Sequence, residues 1–131
     1  MKLLFLLVTT GVMISPAHSQ LRVTKSERLP LAKSHEWSNP TFSPNGKLIY
    51  FTTSSYRGIW EYNPATRTQR QIVNGLASGY NFSLSSDGKN IAYRRSRSEG
   101  VNSTSRVFDR IQEIVVKELA GGAAQVIGSG D

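Results

Sequence analysis

The ten residues Phe42-Ser43-Pro44-Asn45-Gly46-Lys47-Leu48-Ile49-Tyr50-Phe51 return, at an offset of 42, as Leu84-Ser85-Ser86-Asp87-Gly88-Lys89-Asn90-Ile91-Ala92-Tyr93. Asn45-Gly46 and Asp87-Gly88 are dipeptides that accept positive φ at a tight hairpin turn. Apolar and β-prone residues flank both, so each copy reads as strand, turn, strand. After the first turn, Leu48 to Phe51 is apolar without a break, the pattern of a strand covered on both faces. The second copy alternates, with Ile91 and Tyr93 on one face and only Ala92 on the other. That second face is expected to be less deeply covered.

A second pair of strands follows each turn. In the first unit residues 58–62 read as a strand, 63–67 as its turn and 69–73 as an outer strand. In the second unit the matching strand is near 113–118, the turn is Gly121-Gly122 and the outer strand is near 124–127. A period of about 40–45 residues with four strands per unit marks a propeller blade. The expected fold is therefore all-β: two four-stranded antiparallel propeller blades, residues 37–76 and 77–131, following an N-terminal leader. Pro40 falls in the first strand of its blade, an edge strand where no ladder donor is lost, and Phe82 takes the equivalent place in the second copy. A closed propeller needs about 4–8 blades. Two blades leave broad apolar faces, which predicts self-association or a fragment of a longer propeller.

The pattern F-S-P-[DN]-G-K-x-I-x-F at 42–51, G-I-W-x-Y at 58–62 and R-Q-I-V-x-G at 70–75 resembles the TolB-like family of WD-type β-propeller repeats. The resemblance spans roughly residues 37–130. The second copy departs from it, with Ser86 in place of the proline and an insertion over 94–110. The resemblance implies a non-catalytic module of the bacterial periplasm that works through protein–protein contacts, outer-membrane lipoproteins and envelope machinery among them. Similar repeats also form the propeller that gates prolyl-oligopeptidase-like peptidases, whose catalytic serine lies in a separate hydrolase domain, so the alternative readings are an N-terminal propeller fragment of such a secreted peptidase or a truncated product without independent activity. The motif specifies a fold far more than an activity.

The N-terminus carries its own signal. Met1-Lys2 opens a short positive region, and residues 3–14 are apolar but shorter than the roughly 20 residues a spanning helix requires. Pro16 and the small residues around Ala17-His18-Ser19 complete a secretory signal peptide over 1–19, cleaved before Gln20. The mature chain is expected to be periplasmic or secreted, touching a membrane only through the transient leader. Residues 20–36 form an N-terminal extension and a candidate outer strand. The sequence holds 16 Lys plus Arg and 9 Asp plus Glu, and loss of Lys2 with the leader leaves a formal charge of +6. Excess basic charge on an exported chain points to an acidic or envelope-associated protein partner rather than nucleic acid.

The basic charge concentrates in residues 94–110, where Arg94, Arg95, Arg97, Arg106 and Arg110 stand against Glu99 and Asp109 among serines and asparagine. This segment reads as a long polar loop between the second and third strands of the second blade, either a solvated loop or a binding loop for an acidic partner. Antiparallel topology puts that loop on the same rim as residues 54–57 and the connections carrying Trp37 and Tyr80. Trp37, Tyr56, Tyr80 and the arginines are thus the candidate partner-binding residues, since arginine with exposed aromatics is enriched at interfaces. Each aromatic taken alone reads first as core or packing. No cofactor is expected. The mature chain has one histidine, His35, and no cysteine, so Cys–His and zinc chemistry lack ligands and no G-x-S-x-G elbow exists. His35-Glu36 reads as a polar connection, and Asp87 as part of its turn. Asn81-Phe82-Ser83, expected in a strand, and Asn102-Ser103-Thr104 match the glycosylation acceptor pattern.

Overall fold

A computed structural model describes residues 22–98 and 110–130. The leader over 1–19, Arg106 and the acceptor at Asn102 lie outside the described residues. Eight strands are present: β1 (Trp37–Phe42), β2 (Ile49–Thr53), β3 (Ile59–Asn63), β4 (Thr68–Val73), β5 (Ser83–Leu84), β6 (Asn90–Ser98), β7 (Arg110–Glu118) and β8 (Ala124–Gly130). They form two four-stranded antiparallel sheets, β1-β2-β3-β4 and β5-β6-β7-β8, with no helix among the described residues.

The repeat forms two turns with the same hydrogen bonds. The Gly46 and Gly88 amides each donate to the carbonyl three residues back, on Ser43 and Ser85, at 2.8 Å in both. The Ser43 hydroxyl donates to Asn45 Oδ1 at 2.7 Å and accepts from the Leu48 amide at 2.9 Å. The Ser85 hydroxyl does the same with Asp87 Oδ1 at 2.5 Å and the Asn90 amide at 2.9 Å. Only the glycine of each dipeptide has positive φ, 69° in both. These hairpins are therefore longer turns closed by a left-handed glycine, not two-residue primed turns, and Pro44 sits where a type I turn favours proline. The Ser85 hydroxyl and then the Lys89 amide hold the exposed Asp87 carboxyl below the usual aspartate range.

Register assigns the faces. Ile49 lies opposite Tyr62 and Phe51 opposite Trp60, while Trp37 lies opposite Thr53. These side chains share one face of the first sheet, under Leu29 and Leu31. The other face carries Ile59 and Val73 and packs against Ile91, Tyr93 and Val115 of the second sheet. Ile59, Ile91 and Val115 are fully buried, and each such side chain contributes about 1.5–3 kcal/mol relative to exposure. Ile49 and Phe51 correspond, at the offset of 42, to Ile91 and Tyr93. The segment ending at Trp37 thus stands against the first sheet where the first sheet stands against the second. Residues 22–36 form no strand, so the expected outer strand is replaced by an irregular apolar cover. The uninterrupted apolar run is buried throughout β2, while Ala92 is only half-buried between buried Ile91 and Tyr93.

Buried charge is paired in each sheet's third strand. Glu61 accepts from the Tyr50 hydroxyl at 2.9 Å and from Arg70 Nε at 2.7 Å. Burial first, and then the bond to Glu61, push the Tyr50 hydroxyl well above the ordinary tyrosine range. Glu113 of β7 accepts from Arg95 Nε at 2.7 Å and faces Arg97 Nε at 3.5 Å.

Several elements differ from expectation. The polar loop does not open at Arg94, because β6 continues to Ser98 and pairs Arg94 with Ile114 and Ser98 with Arg110. Tyr93 and Arg95 face the buried Val115 and Glu113 of β7, and the hairpin continues past the expected strand end. β8 runs through Gly128-Ser129-Gly130, and the register slips where Ile127 is inserted. Asn81 lies in a turn with φ 51°, not in a strand, and Asn39 has the same φ at the offset of 42. Asn39 lies inside β1, which loses register between Ser38 and Thr41, around Pro40, and Asn81 precedes β5, which is reduced to two residues. Phe82 therefore falls before β5.

Candidate functional site

The short β5 shapes the site. It pairs with only Ile91 and Ala92 of β6, whereas β1 pairs along most of β2. The connection 74–82 covers part of the remaining β6 edge, and the Ser96 amide donates to the Leu76 carbonyl at 3.2 Å. Covering an edge with a loop satisfies backbone groups that would otherwise pair with another chain.

Short contacts lock this connection to the loop between β2 and β3. The Thr52 hydroxyl donates to the Gly58 carbonyl at 2.7 Å, and the Gly58 amide reaches Ser78 Oγ at 3.1 Å and the Gly75 carbonyl at 3.0 Å. The Gly79 amide donates to the Tyr56 carbonyl at 2.9 Å. Thr52 and Ser78 are completely buried. A Cβ on Gly79 would lie 1.8 Å from Thr52 Oγ1 and 2.9 Å from the Gly58 carbonyl, so glycine alone lets the two segments approach this closely.

This framework brings Tyr56 and Tyr80 together edge to face, ring centroids 5.3 Å apart. The Arg94 guanidinium lies over the Tyr80 ring at 4.6 Å, a cation–π distance. Tyr80 is 41% exposed, and Tyr56 and Arg94 are half-buried. A cavity of about 250 Å³ opens beside them, lined by Tyr56, Leu76, Tyr80, Arg94, Ser96 and Gln112. An adjoining cavity of about 270 Å³ shares Tyr80 and Arg94 and adds Tyr93 and Ile114. Arg94 lies opposite Ile114 and Ser96 opposite Gln112, so Arg94 and Gln112 are diagonal neighbours on one sheet face. Gln112 Nε2 donates to the Ser96 hydroxyl at 2.6 Å. Its Oε1, like Arg94 Nε, is shut off from water without a hydrogen-bond partner.

The sequence-predicted residues divide accordingly. Tyr56, Tyr80 and Arg94 meet. Trp37 does not join them: it packs against Phe51 and Trp60 at 4.9 and 5.5 Å, and its indole donates to the Ala32 carbonyl at 2.9 Å. Arg95 and Arg97 project from the other face of β6 to Glu113. Arg110 begins β7. Sequence reasoning missed Gln112 and Ser96, whose shared face follows from strand alternation once β6 and β7 are known to pair. It also missed an open concavity of about 780 Å³ along Arg28, Leu31, Lys33, His35 and Trp37, where the His35 and Trp37 rings lie 5.2 Å apart at a tilt of 34°.

The site offers a cation, two aromatic faces and amide and hydroxyl groups. Among the described residues no three His, Cys, Asp or Glu side chains gather to hold a metal ion. No family model matches the chain, and no curated protein matches its sequence.

Proposed function

We propose that this chain is an exported, non-catalytic protein-binding module of TolB-like propeller type, acting in the cell envelope, with its two sheets as propeller blades. One observation carries the reading: Tyr56, Tyr80 and Arg94 gather beside a cavity where the β2–β3 loop and the connection 74–82 meet. Tyrosine and arginine are the residues that anchor protein interfaces. Glu113 answers Arg95 and Arg97 internally. Of the segment's arginines whose side chains are described, Arg94 is therefore the one that selects for an acidic partner.

The test places a photo-crosslinking phenylalanine analogue at position 80 in cells expressing the full chain. Lys89, in the distant turn, receives it as a control. A defined protein adduct at 80 that is absent at 89 supports the reading. Identical adduct patterns at both positions, or recovery of the chain only from the cytoplasm, refute it.

A further inference from the structure

Arg95 and Arg97 have a carboxylate partner in Glu113. Among the described residues Arg94 has none; its only partner is the Tyr80 ring. A half-buried guanidinium held by an aromatic face, with no counter-charge, favours an anion beside it. The adjacent Gln112 makes a different demand. Its Nε2 is engaged with Ser96 and its Oε1 lacks a donor. Arg94 is a donor and Gln112 Oε1 an acceptor, and a ligand that carries an anionic acceptor and an N–H donor a few atoms apart, next to something that packs on tyrosine, would engage both. The α-carboxylate and amide N–H of an acylated amino acid have that arrangement.

We propose that the cavity among Tyr56, Tyr80, Arg94 and Gln112 binds the C-terminal residue of a peptide, its carboxylate on Arg94 and its last amide N–H on Gln112 Oε1. The two adjoining cavities, about 250 and 270 Å³, leave room for an apolar side chain against Tyr56 and Tyr80. Tyr80 sits in the irregular connection 74–82 and is substantially exposed, so a small tilt of its ring uncovers the guanidinium edge. This inference rests on the protein-binding reading and sharpens it from an acidic surface to a chain terminus.

The experiment titrates the full chain, by NMR or calorimetry, with N-acetyl-phenylalanine, its carboxamide and 3-phenylpropanoate. The free acid is expected to bind best. The carboxamide, lacking the charge, and 3-phenylpropanoate, lacking the N–H, are each expected to bind about tenfold more weakly or worse, the usual scale for losing a hydrogen bond to a charged or buried group. Arg94→Gln should abolish the preference for the acid. Gln112→Glu should block binding by giving Arg94 an internal carboxylate, and it tests the site if Arg94→Gln folds poorly. Lys89→Gln removes the same charge far from the cavity and should bind as wild type. Equal binding of acid and carboxamide, no binding of any probe, or equal loss in Lys89→Gln overturns the proposal. Equal binding of 3-phenylpropanoate and the acylated amino acid also overturns it, leaving a simple carboxylate site. Failure here with the position-80 crosslink intact removes the terminus claim and keeps the module. Acid-specific binding without a crosslink does the reverse.

Discussion

Gly79→Ala is the most direct test of how the site is built. The added methyl would meet Thr52 Oγ1 at 1.8 Å, Thr52 Cβ at 2.4 Å and the Gly58 carbonyl at 2.9 Å. Thr52 is fully buried and hydrogen-bonded to Gly58, so it has no free rotamer into which to retreat. Overpacking of this kind costs about 1–3 kcal/mol, and displacing the Thr52 hydroxyl from the Gly58 carbonyl adds about 1 kcal/mol. A total near 3 kcal/mol lowers the melting temperature of a domain of this size by more than about 10 °C. Thermal and urea unfolding followed by circular dichroism measure it. Thr52→Ala alone should cost about 1–2 kcal/mol. It removes the closest atom and leaves the Cβ contact, so the double variant should be more stable than the sum of the singles by about 1 kcal/mol. Tyr56 and Tyr80 hang on the two segments that meet at Gly79, so Gly79→Ala should also weaken acid-probe binding at temperatures where it remains folded. A Gly79→Ala protein within about 0.5 kcal/mol of wild type, or strict additivity with Thr52→Ala, would refute this account of the junction.

The twin turns supply two further tests. Gly46→Ala and Gly88→Ala should each cost about 1–2 kcal/mol by urea unfolding, because both glycines have φ 69° and neither meets a hard contact; a large inequality between them would contradict the identity of the turns. Asp87→Asn should lower stability at neutral pH and converge with wild type in acid. A depressed carboxyl pKa stabilises above the unfolded value, near 3.9, and that stability is lost as pH falls through the lower folded value. Asn45→Ala in the other turn should show no such acid dependence. Arg95→Gln strips a direct partner from a nearly buried Glu113. It should destabilise by about 1–3 kcal/mol, most of it relieved when Glu113→Gln is added; an unrelieved double variant would mean the pair is not the cause.

The strands were legible because their signals are local. The alternation of Ile91-Ala92-Tyr93 and the continuity of Ile49 to Phe51 each identified the covered faces. The turns were legible in position but not in type, since Asn-Gly and Asp-Gly serve a two-residue primed turn and a longer turn with a left-handed glycine equally well. Residues 94–98 were misread because composition dominates where periodicity is weak. Arginine and serine look solvated, yet Arg95 alternates with Ser96 and finds Glu113 across the ladder. Trp37 was placed on the wrong surface because sequence position puts it near a rim, while the side chain follows the face of Thr53, to which it is paired.

The sequence by itself determined the all-β character, the positions of the twin turns and the unequal covering of the two repeated strands. These depend on backbone preferences and on which side chains leave water, and both are written over a few residues. Only the tertiary structure decided which of the described β6 arginines is left without a carboxylate. That choice depends on strand register, which puts Arg95 and Arg97 on the Glu113 face and Arg94 on the other. It also depends on the contact of Gly79 with Thr52, which sets Tyr80 over the guanidinium. Groups far apart in the chain meet there, and no local pattern records their distance.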